Sequence, residues 1–573
     1  MPLSLKDFKK QLTDDPVNPF GASIKQKIYL DSNGKEKVSA LNIVNEEGSW
    51  DTWSKKLSSQ MLSKQTPALA KQQLDLSLSI KKDELDEIMS LTNPVVKRKL
   101  LQSFADDCDS SASHLKAAAL PRQTSSVILP FPGMKDNEVY DPNHRNGEMV
   151  ALVRYPHGGI FEIPTLKVNN KYGPAKNVIQ NAKDAIGINP KVAERLSGAD
   201  FDGDTVLVIP MKNQIIRTSS PLAGLKNFDP KTEYRAYEGM PRMTAKTKGI
   251  KMGDVSNLIT DMTIKGATPD ELCRAVRHSM VVIDAEKHNL NYKQSYIDNG
   301  IASLKKKYQG SEKAGASTLI SRASSEARIP EVKRVIIDPE TGKKQYLYTN
   351  AEYVNKQGKT VVKTERTTKM SIVSDARKLS SGTAIENVYA SYANQLKAMA
   401  NDARKSMVNT KNIEYSPSAK TVFAKEVSSL MGKLEIAIRN KPLERQAQLL
   451  ANKMLAAKRQ DKPDMDADAL KKAKGACLTE ARARVGANKV AIVITPKEWE
   501  AIQSGALSNN TLTKIIDNAK LDDVKSLATP RTSKSISNSK ETRIKAMLSA
   551  GYTQSEVADA LGISVSTVSK VIN

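Results

Sequence analysis

The stretch Gly198-Ala199-Asp200-Phe201-Asp202-Gly203-Asp204 sets three carboxylates at alternate positions, directly ahead of the strand-like run TVLVIP. Held together without a counter-charge they would repel one another by about 4 kcal/mol per pair at 4 Å near a protein surface. A bend at Gly203 can turn all three onto one hard cation, and Mg²⁺ takes oxygen ligands of this type. Phe201, between them, can then point into a core. An EF-hand calcium loop does not fit. Counting from Asp200, glycine falls at the fourth place instead of the sixth, and Met211 stands where a bidentate glutamate is needed. An acidic surface turn, a structural ion site and a catalytic metal site all remain open on spacing alone.

The composition narrows the partners. The chain has 573 residues, with 88 Lys and Arg against 63 Asp and Glu, a net charge of +25. Such a surplus points to a polyanion, most simply nucleic acid. Aromatic residues make up only 5 %, so base stacking is not expected to be the main grip. No GxxxxGK[ST] occurs, which argues against a P-loop ATPase. The lack of CxxC and HxxxH argues against zinc. Cys108, Cys273 and Cys477 cannot form a disulfide framework and suit a reducing cytoplasm. No apolar run reaches eighteen residues, and MPLSLKDFKK has no secretory h-region, so a cytoplasmic protein with no membrane partner is expected.

Several elements must position the carboxylates. Residues 1–54 mix strand-like pieces and turns. Residues 55–118 read as helical, interrupted at Asn93-Pro94. Residues 119–215 carry short β-branched runs at Val127–Leu129, Met149–Val153, Ile160–Ile163 and Val206–Ile209, separated by Pro and Gly. That pattern predicts a small β-barrel. A mixed α/β region over 216–370 has helix at 251–325 and a hairpin around Pro339–Lys343. Residues 371–528 read as a basic helical region, 529–540 as a Ser/Thr-rich flexible linker, and 541–573 as a separate module. The expected class is multidomain α+β, a barrel flanked by helical regions.

In the module, Ile544, Met547 and Leu548 sit at helical spacing, and Gly551-Tyr552-Thr553 makes a turn. Thr553 is placed to N-cap a second helix that ends at Gly562. Ser564 is placed to cap a third, with Val565, Val568 and Val571 on its buried side. The pattern is similar to a helix-turn-helix of the resolvase or sigma-factor kind. That resemblance implies DNA contacts by Ser564, Ser566, Thr567 and Lys570.

LSGADFDGDTVLVIP resembles the metal-binding motif of the large catalytic subunit (β′) of cellular RNA polymerases. It equally resembles the motif of the RNA-silencing RNA-dependent RNA polymerases and of single-chain phage RNA polymerases. The resemblance implies a double-psi β-barrel, with Asp200, Asp202 and Asp204 as the three Mg²⁺ ligands. Val153-Arg154-Tyr155-Pro156 resembles the Arg-x-Pro of the same barrel, which implies that Arg154 approaches the sugar of the incoming nucleotide. Ile188-Asn189-Pro190 resembles a turn preceding the triad, and LPRQTSSVILP the first strand of that barrel. RHSMVVIDAEKHNLNY resembles the segment after the barrel in the silencing enzymes, which implies supporting roles for Asp284 and Lys287.

Those polymerases carry a first barrel ahead of the linker helices. Only about fifty residues precede them here, with KQKIYLDSNGKEKVSALNIV as a possible last part. A second polymerase subunit is therefore expected to supply the rest. The expected activity is Mg²⁺-dependent synthesis of RNA from nucleoside triphosphates by a phage-type polymerase, with DNA the favoured template. The alternative is a non-catalytic DNA-binding transcription regulator with a relic barrel.

Overall fold

The computed structural model describes residues 59–530, except 155–157, 197–198, 200, 202, 212–215, 356, 462–466 and 489. It also describes residues 538–572, except 550 and 562, and five short strands before residue 58. These early strands form the antiparallel pairs Ile24–Lys25 with Asn42–Ile43 and Ile28–Leu30 with Glu36–Val38, while Lys56–Leu57 joins Ala117–Ala118. No second closed barrel stands among the described residues.

Two long helices, α1 (Pro67–Met89) and α2 (Pro94–His114), follow. Both start by the same local chemistry. A side-chain oxygen, from Thr66 or Asn93, accepts a first-turn N–H, and a proline occupies the first turn, where its missing N–H costs nothing. Asn93-Pro94 is thus a helix start as well as a helix break.

Six strands then close into a barrel: β1 (Thr124–Pro130), β2 (Glu138–Tyr140), β3 (Met149–Val153), β4 (Thr165–Val168), β5 (Ala185–Ile188) and β6 (Thr205–Pro210). The order around it is β4-β2-β5-β1-β6-β3, returning to β4. The pairs β1/β5 and β2/β4 are parallel, and the others antiparallel. Alternation along the strands explains why both faces of β5 and β6, and nearly all of β1 and β3, are buried. Ile128, Val150, Leu152, Val206 and Val208 fill the interior. Ala151, Val153, Leu207 and Ile209 face outward into the main helical core.

One expected run is not a strand. Ile160–Ile163 contains a single 3-10 turn, Ile160–Glu162. In a strand, Phe161 and Ile163 would share a face. Here Phe161 packs with the helices that follow the barrel and Ile163 with the main core, so the chain must turn between them.

After the barrel, α3 (Ala245–Ile264) and α4 (Pro269–His288) pack as a helical hairpin. The hairpin expected around Pro339–Lys343 is present as β8 (Val332–Ile337) and β9 (Lys344–Tyr348). It belongs to a longer ribbon with β7 (Glu326–Pro330), β10 (Glu352–Val354), β11 (Thr360–Val362) and β12 (Thr364–Thr368). The ribbon's tip touches the following helix, α5 (Ala384–Asn409), where a Cβ on Gly342 would overlap the Asn401 carbonyl.

Tyr389, Leu396, Ala400 and Ala403 bury α5 against α1 and α2, making it a core helix. Next, α6 (Ala424–Asp461) and α7 (Ala467–Val485) pair with each other. The chain closes with three helices, α8 (Asn538–Ser549), α9 (Gln554–Leu561) and α10 (Val565–Ile572). Most of the expected linker, 531–537, lies outside the described residues. No helix among the described residues is long and apolar enough to cross a membrane.

Candidate active site

The carboxylate loop is placed by the elements on either side of it. After β5, Asn189 accepts from Lys191 N–H at 2.9 Å and donates to the carbonyls of Pro132 at 3.1 Å and Met134 at 2.6 Å. This ties the turn to the end of β1. Val192, Ala193, Leu196 and Ala199 then pack into the barrel interior, so the chain reaches the carboxylates already anchored. Half-buried Phe201 packs against the same interior. Gly203 takes φ +119°, a conformation that side chains beyond glycine rarely adopt, and this makes the bend before β6.

Asp204 stands at the head of β6 and is 3 % exposed. Its backbone carbonyl accepts from Ile128 N–H at 3.1 Å, which joins it to β1. Its carboxylate is gripped from the end of β3, where Arg154 Nη2 lies 3.0 Å from one oxygen and 2.9 Å from the other. The pair follows from register: Val153 faces Leu207 across the β3–β6 ladder, so the next residue on β3 arrives beside the head of β6. Asp200 and Asp202 lie outside the described residues, and no group of three metal-binding side chains is assembled among the described ones. The donor chemistry of Asp204 suits a hard cation. A carboxylate offers about four lone-pair positions, and its oxygens are the ligand type that a hard cation takes.

Arg154 also borders a cavity of about 830 Å³. Its wall carries Lys64, Arg195 and Lys226, opposed by Glu162 and Glu194. The apolar part comes from Phe161, Met252, Ile259, Met280 and Ile283. Lys64, just before α1, is 5 % exposed. Burial lowers its pKa from the ordinary 10.5 to about 8, with nearby Glu162 pulling the other way. Next to it, Gln65 exchanges two hydrogen bonds with the Arg217 backbone, at 2.6 and 3.2 Å, which pins the chain leaving the barrel to the start of α1. Nothing in the local pattern SKQT marks these residues. They reach the site through contacts 152 positions away in the chain.

The structure does not bring Asp284 and Lys287 to this cavity. Helix α4 presents Val276, Ser279, Met280 and Ile283 to it. At 100° per residue, Asp284 lies about 90° round the helix from the centre of that stripe and is half-buried, while Lys287 is on the stripe's line but one turn beyond Ile283, exposed and outside the cavity wall.

In the C-terminal module, Thr553 and Glu556 form a reciprocal cap, with Glu556 N–H donating at 3.3 Å and Thr553 N–H donating at 2.7 Å. Ser564 accepts from Thr567 N–H at 3.2 Å and caps α10. Ser564, Ser566 and Lys570 are exposed, and Thr567 is half-buried. The buried side of α10 is narrower than expected. Val568 is buried and Val571 half-buried, but Val565 is 45 % exposed. Three valines at spacing three sweep about 120° of a helix, more than α8 and α9 cover.

Residues 544–573 match a helix-turn-helix family model. No curated protein matches the sequence. Among solved structures the chain is similar to the RNA dependent RNA polymerase QDE-1 from Thielavia terrestris, with 11 % identity and a TM-score of 0.34. The alignment covers 82 % of this chain, which spans about 60 % of that polymerase's length.

Proposed function

We propose that this chain is the β′-like catalytic half of a phage-type RNA polymerase, which joins nucleotides on a template, DNA in the first instance. A partner polypeptide would complete the core with the first barrel. The observation that carries the reading is Asp204, buried at the head of a barrel strand and gripped by Arg154, which borders a charged cavity.

In the reaction, the 3′-hydroxyl oxygen of the growing strand bonds to the α-phosphorus of a nucleoside triphosphate. The α–β bridging bond breaks, pyrophosphate leaves, and the hydroxyl proton passes to solvent. Asp200, Asp202 and Asp204 would hold Mg²⁺, which when bound lowers the pKa of that hydroxyl and offsets charge on the phosphates. Arg154 fixes the orientation of Asp204, and its planar fork lies within the cavity wall where a ribose would seat. Lys64, Arg195 and Lys226 offer positive charge to a triphosphate, and the apolar wall offers a surface to a base.

The direct test expresses the chain with and without its neighbouring gene products and measures nucleotide incorporation on DNA and RNA templates with Mg²⁺. Incorporation that requires this chain supports the reading. DNA binding without incorporation under every combination supports a DNA-binding regulator instead, the reading favoured by the helix-turn-helix match.

Lys64 gives the site a pH signature. With a pKa of about 8, it carries charge at pH 7 and loses it by pH 9. Nucleoside triphosphate affinity is expected to fall several-fold across that range, and Lys64→Arg to flatten the change; equilibrium binding at fixed ionic strength reads it. The stability effect has the opposite sign. Between pH 8 and 10.5 the unfolded chain binds a proton at Lys64 that the folded chain does not, so folding gains stability as pH rises through that window.

The module has its own signature. If Lys570 contacts a phosphate, Lys570→Ala should weaken binding to all duplex sequences alike and reduce the log–log salt slope by about 1. Titrations of a random-sequence duplex at several salt concentrations check this.

A further inference from the structure

The sequence describes a tethered module, yet the three C-terminal helices are packed onto the body of the protein. Ile544 and Met547 of α8, with Val557 and Val568, share one apolar cluster with Leu76 and Ala118, and Ile80 packs against it. Leu76 and Ile80 lie on α1, and Ala118 on the short strand after α2. Leu76 belongs to this cluster and not to the main core, so its burial is provided by the module.

Polar contacts surround the apolar seat. Arg543 lies 3.3 Å from Asp83, and the two side chains are 14 % and 3 % exposed. Lys540 lies 3.2 Å from Glu87, one turn further along α1. Half-buried Tyr552 donates its hydroxyl to the Ala119 carbonyl at 2.5 Å. Arg122, held by Glu148 at 2.5 Å at the edge of the barrel, also lies 3.9 Å from Glu556 of α9. Separating a charge pair as buried as Arg543–Asp83 is costly, so the pair holds α8 on α1 together with the apolar contacts. The reading side of α10 faces away from the seat, with Ser566 and Lys570 exposed.

We propose that the helix-turn-helix is a docked reader: α1 and the strand after α2 form its seat, so duplex DNA held on α10 is presented at a fixed place relative to the barrel. This rests on the reading of the module as DNA-binding. The seat turns sequence recognition into positioning, because α1 leads back to Lys64 at the cavity wall.

The test uses the full chain with Lys171→Cys, an exposed position after β4, carrying an iron chelate that cuts nearby DNA. The three native cysteines are buried, so the label is selective. The DNA probe is a duplex enriched from a random-sequence pool by binding to the full chain. Cuts confined to about one helical turn are expected. In Leu76→Glu the cuts should spread or vanish while duplex affinity stays within about twofold, and hydrogen exchange in α8 should rise at least tenfold. Arg543→Ala should show the same pattern more weakly, and serves if Leu76→Glu does not fold. Diffuse cutting by the wild-type framework with tight binding overturns docking and leaves DNA recognition standing. If no duplex binds, DNA recognition fails, and exchange alone decides docking: equal protection of α8 in the wild type and both variants overturns it.

Discussion

Asp202→Ala is expected to lower template-directed nucleotide incorporation by at least about 1000-fold, with the fold intact. The change removes the central carboxylate of the loop that ends at Asp204. Water cannot replace that charge without loss of metal affinity, and neutralising charge on the phosphates accounts for several kcal/mol of such a reaction. Folding should be spared because the loop is anchored elsewhere, by Asn189, by Leu196 in the barrel interior and by Asp204 in its pair with Arg154. In metal-free buffer the variant should melt at the same temperature as the wild type or higher, since one repelling charge has gone. Incorporation assays with Mg²⁺ beside thermal melts with and without the metal check both points. An active Asp202→Ala enzyme, where the wild type works, would sink the catalytic reading.

The largest expected loss of stability lies at Asp261, one residue beyond the part of α3 that borders the cavity at Ile259 and Thr260. Its side chain is fully buried. One oxygen accepts from Gln309 Nε2 at 2.9 Å and Ser317 N–H at 2.8 Å. The other accepts from Thr318 N–H at 3.1 Å, Thr318 Oγ1 at 2.7 Å and Ser321 Oγ at 2.6 Å. Alanine would leave Gln309 Nε2 and Ser317 N–H without this acceptor, and would leave Thr318 and Ser321 with only the hydrogen bonds they make to each other. Each unmatched donor costs about 1–3 kcal/mol, and because the donors share one cavity their costs do not simply add. A loss of about 4 kcal/mol or more is expected for Asp261→Ala, and a smaller loss for Asp261→Asn, which keeps one oxygen. Local hydrogen exchange over 245–325 measures the loss in the region concerned. Nucleotide affinity should fall with it, because α3 forms one wall of the cavity. Unchanged exchange in Asp261→Ala would show that the network does not hold α3 in place.

Local chemistry was readable without the fold. Thr553 and Ser564 cap helices as their spacing predicts, because a cap needs only a side-chain oxygen and an N–H two or three residues on. The β-branched runs at Val127, Met149 and Val206 became β1, β3 and β6, since they pack on both faces and so contain no polar residue. The run at Ile160 misled because hydrophobicity records burial without recording which body a residue is buried against. Phe161 and Ile163 serve different ones. Val565 misled for a related reason, since a stripe of valines does not tell how much of a helix its neighbours cover.

The carboxylate spacing, the glycine that bends the loop, the basic surplus, the helix starts and the three-helix pattern at the C-terminus are all legible in the residues alone. All of these depend on residues a few positions apart, where chain geometry leaves little choice. The fold alone brings Arg154 to Asp204 and Lys64 to the same cavity, leaves Asp284 and Lys287 outside its wall, and seats the terminal helices on α1. Each of these is a meeting of distant segments, fixed by barrel closure and by which apolar faces cover one another, and no short-range pattern records that outcome.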